Sequence, residues 1–182
     1  LGSIPMTEPF FALSLTSLFY FTTIPRIWAA ALAGLALMAG TLVRYEAWFL
    51  IPFVFAYLLV RNWRHALLFC SLASLGPLYW LGHNYFFYGD ALEFYRGEWS
   101  AKAIYERALA KRMDRYPGDH DWPAAWFYFR SAAELVAGGP LVWLGIAGSI
   151  AALLKRWFWL PAFFALPPLF YVLSLYSSGT PI

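Results

Sequence analysis

Residues 27–43 read IWAAALAGLALMAGTLV, seventeen consecutive residues without a charge, held between Arg26 and Arg44. A helix on the surface of a soluble protein carries polar side chains on its outward face. This one offers only Thr41, so whatever surrounds it is apolar on every side. Working outward, the same character returns in five more uncharged stretches, 9–25, 47–60, 66–89, 135–154 and 157–182. A bilayer core needs about 20 apolar residues per helix, with roughly 17 as a lower limit. Five of the six stretches meet that limit. The stretch 47–60 reaches it only if Tyr45 and the stem of Arg61 sit at the interfaces.

The composition agrees. Of 182 residues, 62% are hydrophobic, 21% aromatic and 13% charged, against about half apolar and about a quarter charged in a soluble domain. The expected fold is therefore all-α, a polytopic membrane protein with about six transmembrane helices. The stretches are continuously apolar, whereas barrel strands alternate apolar with polar residues, which favours helices over a transmembrane barrel. Trp28, Trp48, Trp63, Trp80, Trp157 and Tyr176 gather near the stretch ends, as interfacial anchors do. Cys70 lies inside an apolar stretch as the lone cysteine and reads as a core residue. The net charge of +3, without a basic run, gives no reason to expect a nucleic-acid partner. Leu1-Gly2-Ser3 at the start carries no signal-peptide pattern. With Thr180-Pro181-Ile182 directly after an apolar stretch, the chain reads as a fragment of a longer one.

Local signals place the elements. Thr7 is a plausible N-cap with Pro9 in the first turn, and Glu8 then sits beside the positive end of the first helix. That helix stops at Pro25-Arg26. The second runs from Trp28 to Val43 and carries small residues that let membrane helices approach. Arg44-Tyr45-Glu46 separates it from a third helix ending at Val60. Arg61-Asn62-Trp63-Arg64-His65 forms a basic turn, and a fourth helix covers Ala66–Gly82. Residues 83–134 then hold eight of the ten acidic and seven of the thirteen basic residues. This segment reads as an extracytoplasmic loop with short amphipathic helices over Leu92–Arg115. Tyr116-Pro117-Gly118-Asp119 is a turn signal, and Trp122–Glu134 suits the interface plane. A fifth helix reaches Leu154, Lys155-Arg156 turns the chain, and a sixth covers Trp157–Tyr176 with a kink expected at Pro167-Pro168.

Six helices put Arg26, Arg61, Arg64, Lys155 and Arg156 on one side, in short turns without an acid. That side is assigned as cytoplasmic. All ten carboxylates then fall on the other side, two of them, Glu8 and Glu46, at membrane edges. A carboxylate there is either paired or functional. Glu8 can simply cap its helix, and Glu46 can simply pair with Arg44. Arg44 on the outer side either joins such an ion pair or holds phosphate oxygens bidentately. His83-Asn84, followed by Tyr85, Phe86, Phe87 and Tyr88, either ends a helix or lines a pocket for a stackable polar ligand such as a sugar ring. No cluster has metal-ligand spacing, so no cofactor is required and a divalent metal has no visible ligand set.

The order of these pieces resembles the GT-C glycosyltransferases of the bacterial inner membrane, the branch related to protein O-mannosyltransferases and lipid A aminoarabinose transferases (glycosyltransferase family 39-like). The residues that carry the resemblance are Met6-Thr7-Glu8-Pro9-Phe10 opening a helix, then Leu32-Ala33-Gly34-Leu35-Ala36-Leu37-Met38-Ala39-Gly40-Thr41-Leu42-Val43-Arg44-Tyr45-Glu46. Pro77-Leu78-Tyr79-Trp80 and His83-Asn84 follow. The likeness covers most of residues 5–95 and, more loosely, the last two helices. It implies transfer of a sugar from a polyprenyl-phosphate donor, in the membrane, to an acceptor on the outer face. In that chemistry a carboxylate serves as general base on the acceptor hydroxyl. The resemblance places the principal carboxylate in an outer loop before this sequence starts. Glu8 then corresponds to a secondary acidic residue and Arg44 to a candidate contact with the donor phosphate, while Glu46, His83 and Asn84, on the residue reading above, are the further candidate substrate-binding residues. The rival classes are a transporter or permease, which would place ionisable groups at mid-membrane, and a non-catalytic membrane scaffold.

Overall fold

The computed structural model describes residues 8–111 and 116–177 and is all-helical in class, with no strand among the described residues. In chain order the helices are α1 Glu8–Thr23, α2 Ile27–Val43, α3 Leu50–Arg61, α4 Trp63–Ala73, α5 Leu75–Tyr88, α6 Glu93–Arg96, α7 Ala101–Ala110, α8 Trp122–Ala137, α9 Gly139–Leu154 and α10 Trp159–Ser177. A 3-10 turn over Tyr45–Phe49 joins α2 to α3. Thr7 and residues 112–115 lie outside the described part, as does the side chain of Glu8. The chain divides into two compact units, Leu1–Glu93 and Phe94–Ile182.

The breaks fall where the backbone chemistry demands them. Arg44 leaves α2 in an extended conformation, φ −145° and ψ 136°. Asn62 does the same between α3 and α4, and its side-chain oxygen accepts from the Arg64 backbone N–H at 3.0 Å, satisfying one orphan donor of the helix start. Between α4 and α5 the regular pattern lapses only at Ser74, whose backbone stays right-handed helical. Pro77 lacks the N–H that would bond the Ala73 carbonyl. The two helices continue as one apolar rod, Trp63–Tyr88, 26 residues long. It stops at Gly89, where φ +77° supplies the left-handed cap.

In the first unit, α2 packs against α1, α4, α5 and the 3-10 turn. Its buried face is Ala29, Ala30, Ala33, Gly34, Leu37, Gly40 and Thr41, recurring every three or four residues with almost no bulk. The absence of side chains is what permits the approach. A Cβ on Gly34 would lie 2.9 Å from both Leu72 Cβ and the Phe69 carbonyl oxygen of α4. A Cβ on Gly76 of α5 would lie 2.9 Å from the Met38 carbonyl oxygen. α1 runs antiparallel to α2, with the Ser14 hydroxyl donating to the Ala36 carbonyl and Phe21 meeting Trp28 edge-on. Leu18, Leu37, Val54 and Phe69 fill the space between these helices and are fully buried.

In the second unit α8, α9 and α10 pack on one another. Asp121 caps α8 by accepting from the Ala124 N–H at 3.1 Å, ahead of Pro123. Gly138 (φ +78°) turns the chain by 106° from α8 into α9. The turn before α8 is held to the end of α10: the His120 N–H donates to the Tyr176 carbonyl at 2.9 Å, and the Trp122 and Tyr176 rings stack at 4.1 Å and 9°.

Among the described residues two helices, Trp63–Tyr88 and Trp159–Ser177, are long and apolar enough to cross a membrane, and there is a third candidate span if the bent α8–α9 pair counts as one. The uncharged stretches are largely helical in their described parts, with Ile24-Pro25, Gly138 and Trp157-Phe158 outside the helices, and most of the helices are short. α1 has 16 residues, α3 has 12 and α9 has 16. At about 1.5 Å per residue none of these reaches the roughly 30 Å of a bilayer core. The expected loop also moves. Residues 83–88 belong to α5, so the polar segment begins at Gly89 and not at His83, and α8 runs on past Glu134 to Ala137. Short helices α6 and α7 do occupy the segment between.

Candidate functional site

The 3-10 turn after α2 is tied back onto the helix it follows. The Trp48 indole N–H donates to the Thr41 carbonyl at 3.1 Å, and Ala47 is fully buried. This fixes the residues around Ala47. Arg44 Nη1 lies 3.6 Å from Glu46 Oε1, with the two side chains 30% and 16% exposed. The pair is thus partly withdrawn from water, where attraction between opposite charges is stronger than at an open surface.

Tyr45, between the two charges, joins this turn to α5. Its ring meets Trp48 edge-on at 5.7 Å and Trp80 at 6.1 Å. Trp80 in turn stacks on His83 at 5.6 Å with the planes 5° apart. Tyr79 and Phe87 flank the imidazole at 6.1 and 4.6 Å. His83 Nδ1 is buried with no hydrogen-bond partner among the described residues. Such an atom forgoes about 1–3 kcal/mol unless something bonds it, which singles it out for explanation. The structure therefore brings Arg44, Glu46 and His83 to one end of the first unit.

Asn84 behaves differently. It is 4% exposed, and its amide nitrogen donates to the Trp80 carbonyl one turn earlier at 2.7 Å. That bond commits it to its own helix rather than to an open pocket. The next four residues, Tyr85, Phe86, Phe87 and Tyr88, are all exposed. Glu8 opens α1. Since Ser14 sits against Ala36 and Gly40, and Phe21 against Trp28, the antiparallel register brings the start of α1 level with the end of α2 at Arg44. The side chain of Glu8 is outside the described residues.

Two participants were not singled out by sequence reasoning as site residues. Tyr45 and Trp80 read as interfacial aromatics, and only their non-local contact shows them bridging the ion pair to His83. The second unit adds an unanticipated pair. His120 Nδ1 lies 2.7 Å from Asp119 Oδ1, and His120 holds φ +58°, a region costly for a residue with a Cβ. The adjacency of Asp119 and His120 is visible in the sequence, but their backbone conformation is not. Close by, burial raises the Tyr116 phenol above its ordinary value, and the neighbouring Tyr128 adds to the rise.

No group of three or more His, Cys, Asp or Glu side chains among the described residues is disposed to hold a metal ion. The second unit also contains a largely apolar groove of about 940 Å³ between α8, α9 and α10. No protein-family model, curated protein or solved structure matches the chain.

Proposed function

We propose that this chain belongs to a multi-pass membrane glycosyltransferase of the GT-C type. It transfers a sugar from a polyprenyl-phosphate donor to an acceptor at the extracytoplasmic face of the bacterial inner membrane. The observation that supports this reading is the convergence of the Arg44–Glu46 ion pair with the Tyr45, Trp80 and His83 rings at the end of α2 where α1 begins.

Each part suits one piece of the donor. A guanidinium can exchange a carboxylate partner for phosphate oxygens with the same bidentate geometry. Aromatic rings present flat apolar faces with polar edges, which suit a sugar ring next to a membrane. A carboxylate at Glu8 or Glu46 stabilises positive charge or takes a proton in a supporting role. No cofactor is needed for these steps, and membrane lipid is the surrounding solvent. In this reading all six apolar stretches cross the bilayer. The short helices are accommodated by local thinning and by interfacial Trp, Tyr and Arg side chains, with Arg26, Arg61, Arg64, Lys155 and Arg156 on the cytoplasmic side.

The test is sugar transfer from a polyprenyl-phosphate donor by the full-length protein in membranes. Glu8→Gln and Arg44→Ala should each lower transfer at least about tenfold, equivalent to about 1.4 kcal/mol of transition-state stabilisation, at unchanged membrane abundance. Unchanged transfer in both variants would remove the assignment of this end of the bundle.

A further inference from the structure

The groove in the second unit shares no residue with the site above. Its floor is α9, where Gly145 and Gly148 face open space: a Cβ on either would meet nothing within 4 Å. Its walls include Val142, Ile150 and Phe164. Of the described residues that line it, only Arg130 and Glu134 are charged, and both come from α8. Because α8 meets α9 at 106°, these two charges lie across the end of the groove near Gly139, while the lining from Val142 to Leu153 is apolar apart from Ser149. The result is an apolar slot about 17 Å long from Val142 to Leu153, at about 1.5 Å per residue of α9, with an ion pair at its Gly139 end. That is the shape and polarity of an amphiphile.

The charges at the mouth narrow the choice. Arg130 Nε donates to Glu134 Oε1 at 2.8 Å, and the side chains are 66% and 46% exposed. Only one of the five guanidinium N–H donors is used in that bond, so the terminal nitrogens have donors for phosphate oxygens. Glu134 beside it is complementary to an ammonium group carrying N–H. A purely anionic headgroup would gain the arginine but meet the carboxylate, and a quaternary ammonium would offer Glu134 no hydrogen. From this complementarity we propose that the groove holds a phospholipid whose head carries both a phosphate and a primary amine. The phosphate sits on Arg130, the ammonium on Glu134, and an acyl chain lies along Gly145 and Gly148.

Native mass spectrometry of the chain released from nanodiscs tests this, using an equimolar mixture of phosphatidylethanolamine, phosphatidylglycerol and phosphatidylcholine with identical chains. The wild type should retain phosphatidylethanolamine at least about fivefold over the other two. Glu134→Gln should abolish that preference in favour of phosphatidylglycerol, and Arg130→Gln should lower retention of both. Gly148→Leu, which fills the floor, should lower retention of all three. Equal retention of the three lipids by the wild type, or a preference that survives Glu134→Gln, overturns the proposal. So does a dimer that retains no lipid, since a second copy would then occupy the groove.

Discussion

Replacing Gly34 by alanine adds one methyl group at the tightest approach between α2 and α4. That methyl would sit 2.9 Å from Leu72 Cβ, 2.9 Å from the Phe69 carbonyl oxygen and 3.3 Å from Phe69 Cα. Two of these three atoms are backbone and cannot rotate aside. Carbon contacts are comfortable at about 3.5–4.0 Å, so the helices must part by roughly 0.6–1 Å. A gap of that size forfeits about a quarter to a half of each contact well, and it is felt by Ala66, Phe69 and Ala73 opposite Ala30, Ala33 and Leu37, all now buried. Overpacking of this kind costs about 1–3 kcal/mol. Alanine regains up to about 1 kcal/mol through its better helix propensity. The expected net loss is about 1–2 kcal/mol. Gly82 provides the control, because a Cβ there meets nothing within 4 Å. Gly82→Ala should gain up to about 1 kcal/mol, leaving the two variants about 2 kcal/mol apart, roughly thirtyfold in the folding equilibrium. Reversible unfolding in mixed micelles, followed by circular dichroism against the mole fraction of denaturing detergent, measures both. If Gly34→Ala is as stable as Gly82→Ala, α2 and α4 do not approach as described.

Asn62→Ala removes the acceptor for the Arg64 N–H and should cost about 1 kcal/mol in the same unfolding assay, with Asn62→Asp close to wild type. A double-mutant cycle on Arg44→Ala and Glu46→Ala should give a coupling energy of about 0.5–1 kcal/mol that shrinks in high salt, given 3.6 Å between the charged groups. A coupling of zero would dissolve the pair. The Tyr116 phenol is raised above its ordinary value of 10.0, burial being the main cause. The fold therefore favours the neutral phenol, and this contribution is complete below pH about 10 and is lost as the pH rises through the folded-state value. Tyr116→Phe, titrated in parallel by unfolding at alkaline pH, should lack that loss.

The helical class and most of the boundaries were legible in the sequence, because they are local. Uncharged stretches fix where the backbone must satisfy itself, and Pro25-Arg26, Arg44, Asn62 and Lys155-Arg156 mark where it stops. The end of α5 was misplaced for an equally local reason. His83 and Asn84 look like loop residues, but Asn84 bonds within its helix, and the left-handed cap comes six residues after His83, at Gly89. The types of residue at the candidate site were legible as well: a cation, a carboxylate and a histidine at helix edges. Their convergence was not. It depends on Tyr45 touching Trp80 across 35 positions of sequence, a distance no periodicity reports. That contact exists because Gly34 and Gly76 let α4 and α5 close on α2. What the sequence determined by itself is that six stretches carry no charge and form helices. What only the tertiary structure decided is which of their edges meet, since contact between helices follows from the shape left by missing side chains rather than from hydrophobicity, which every stretch shares.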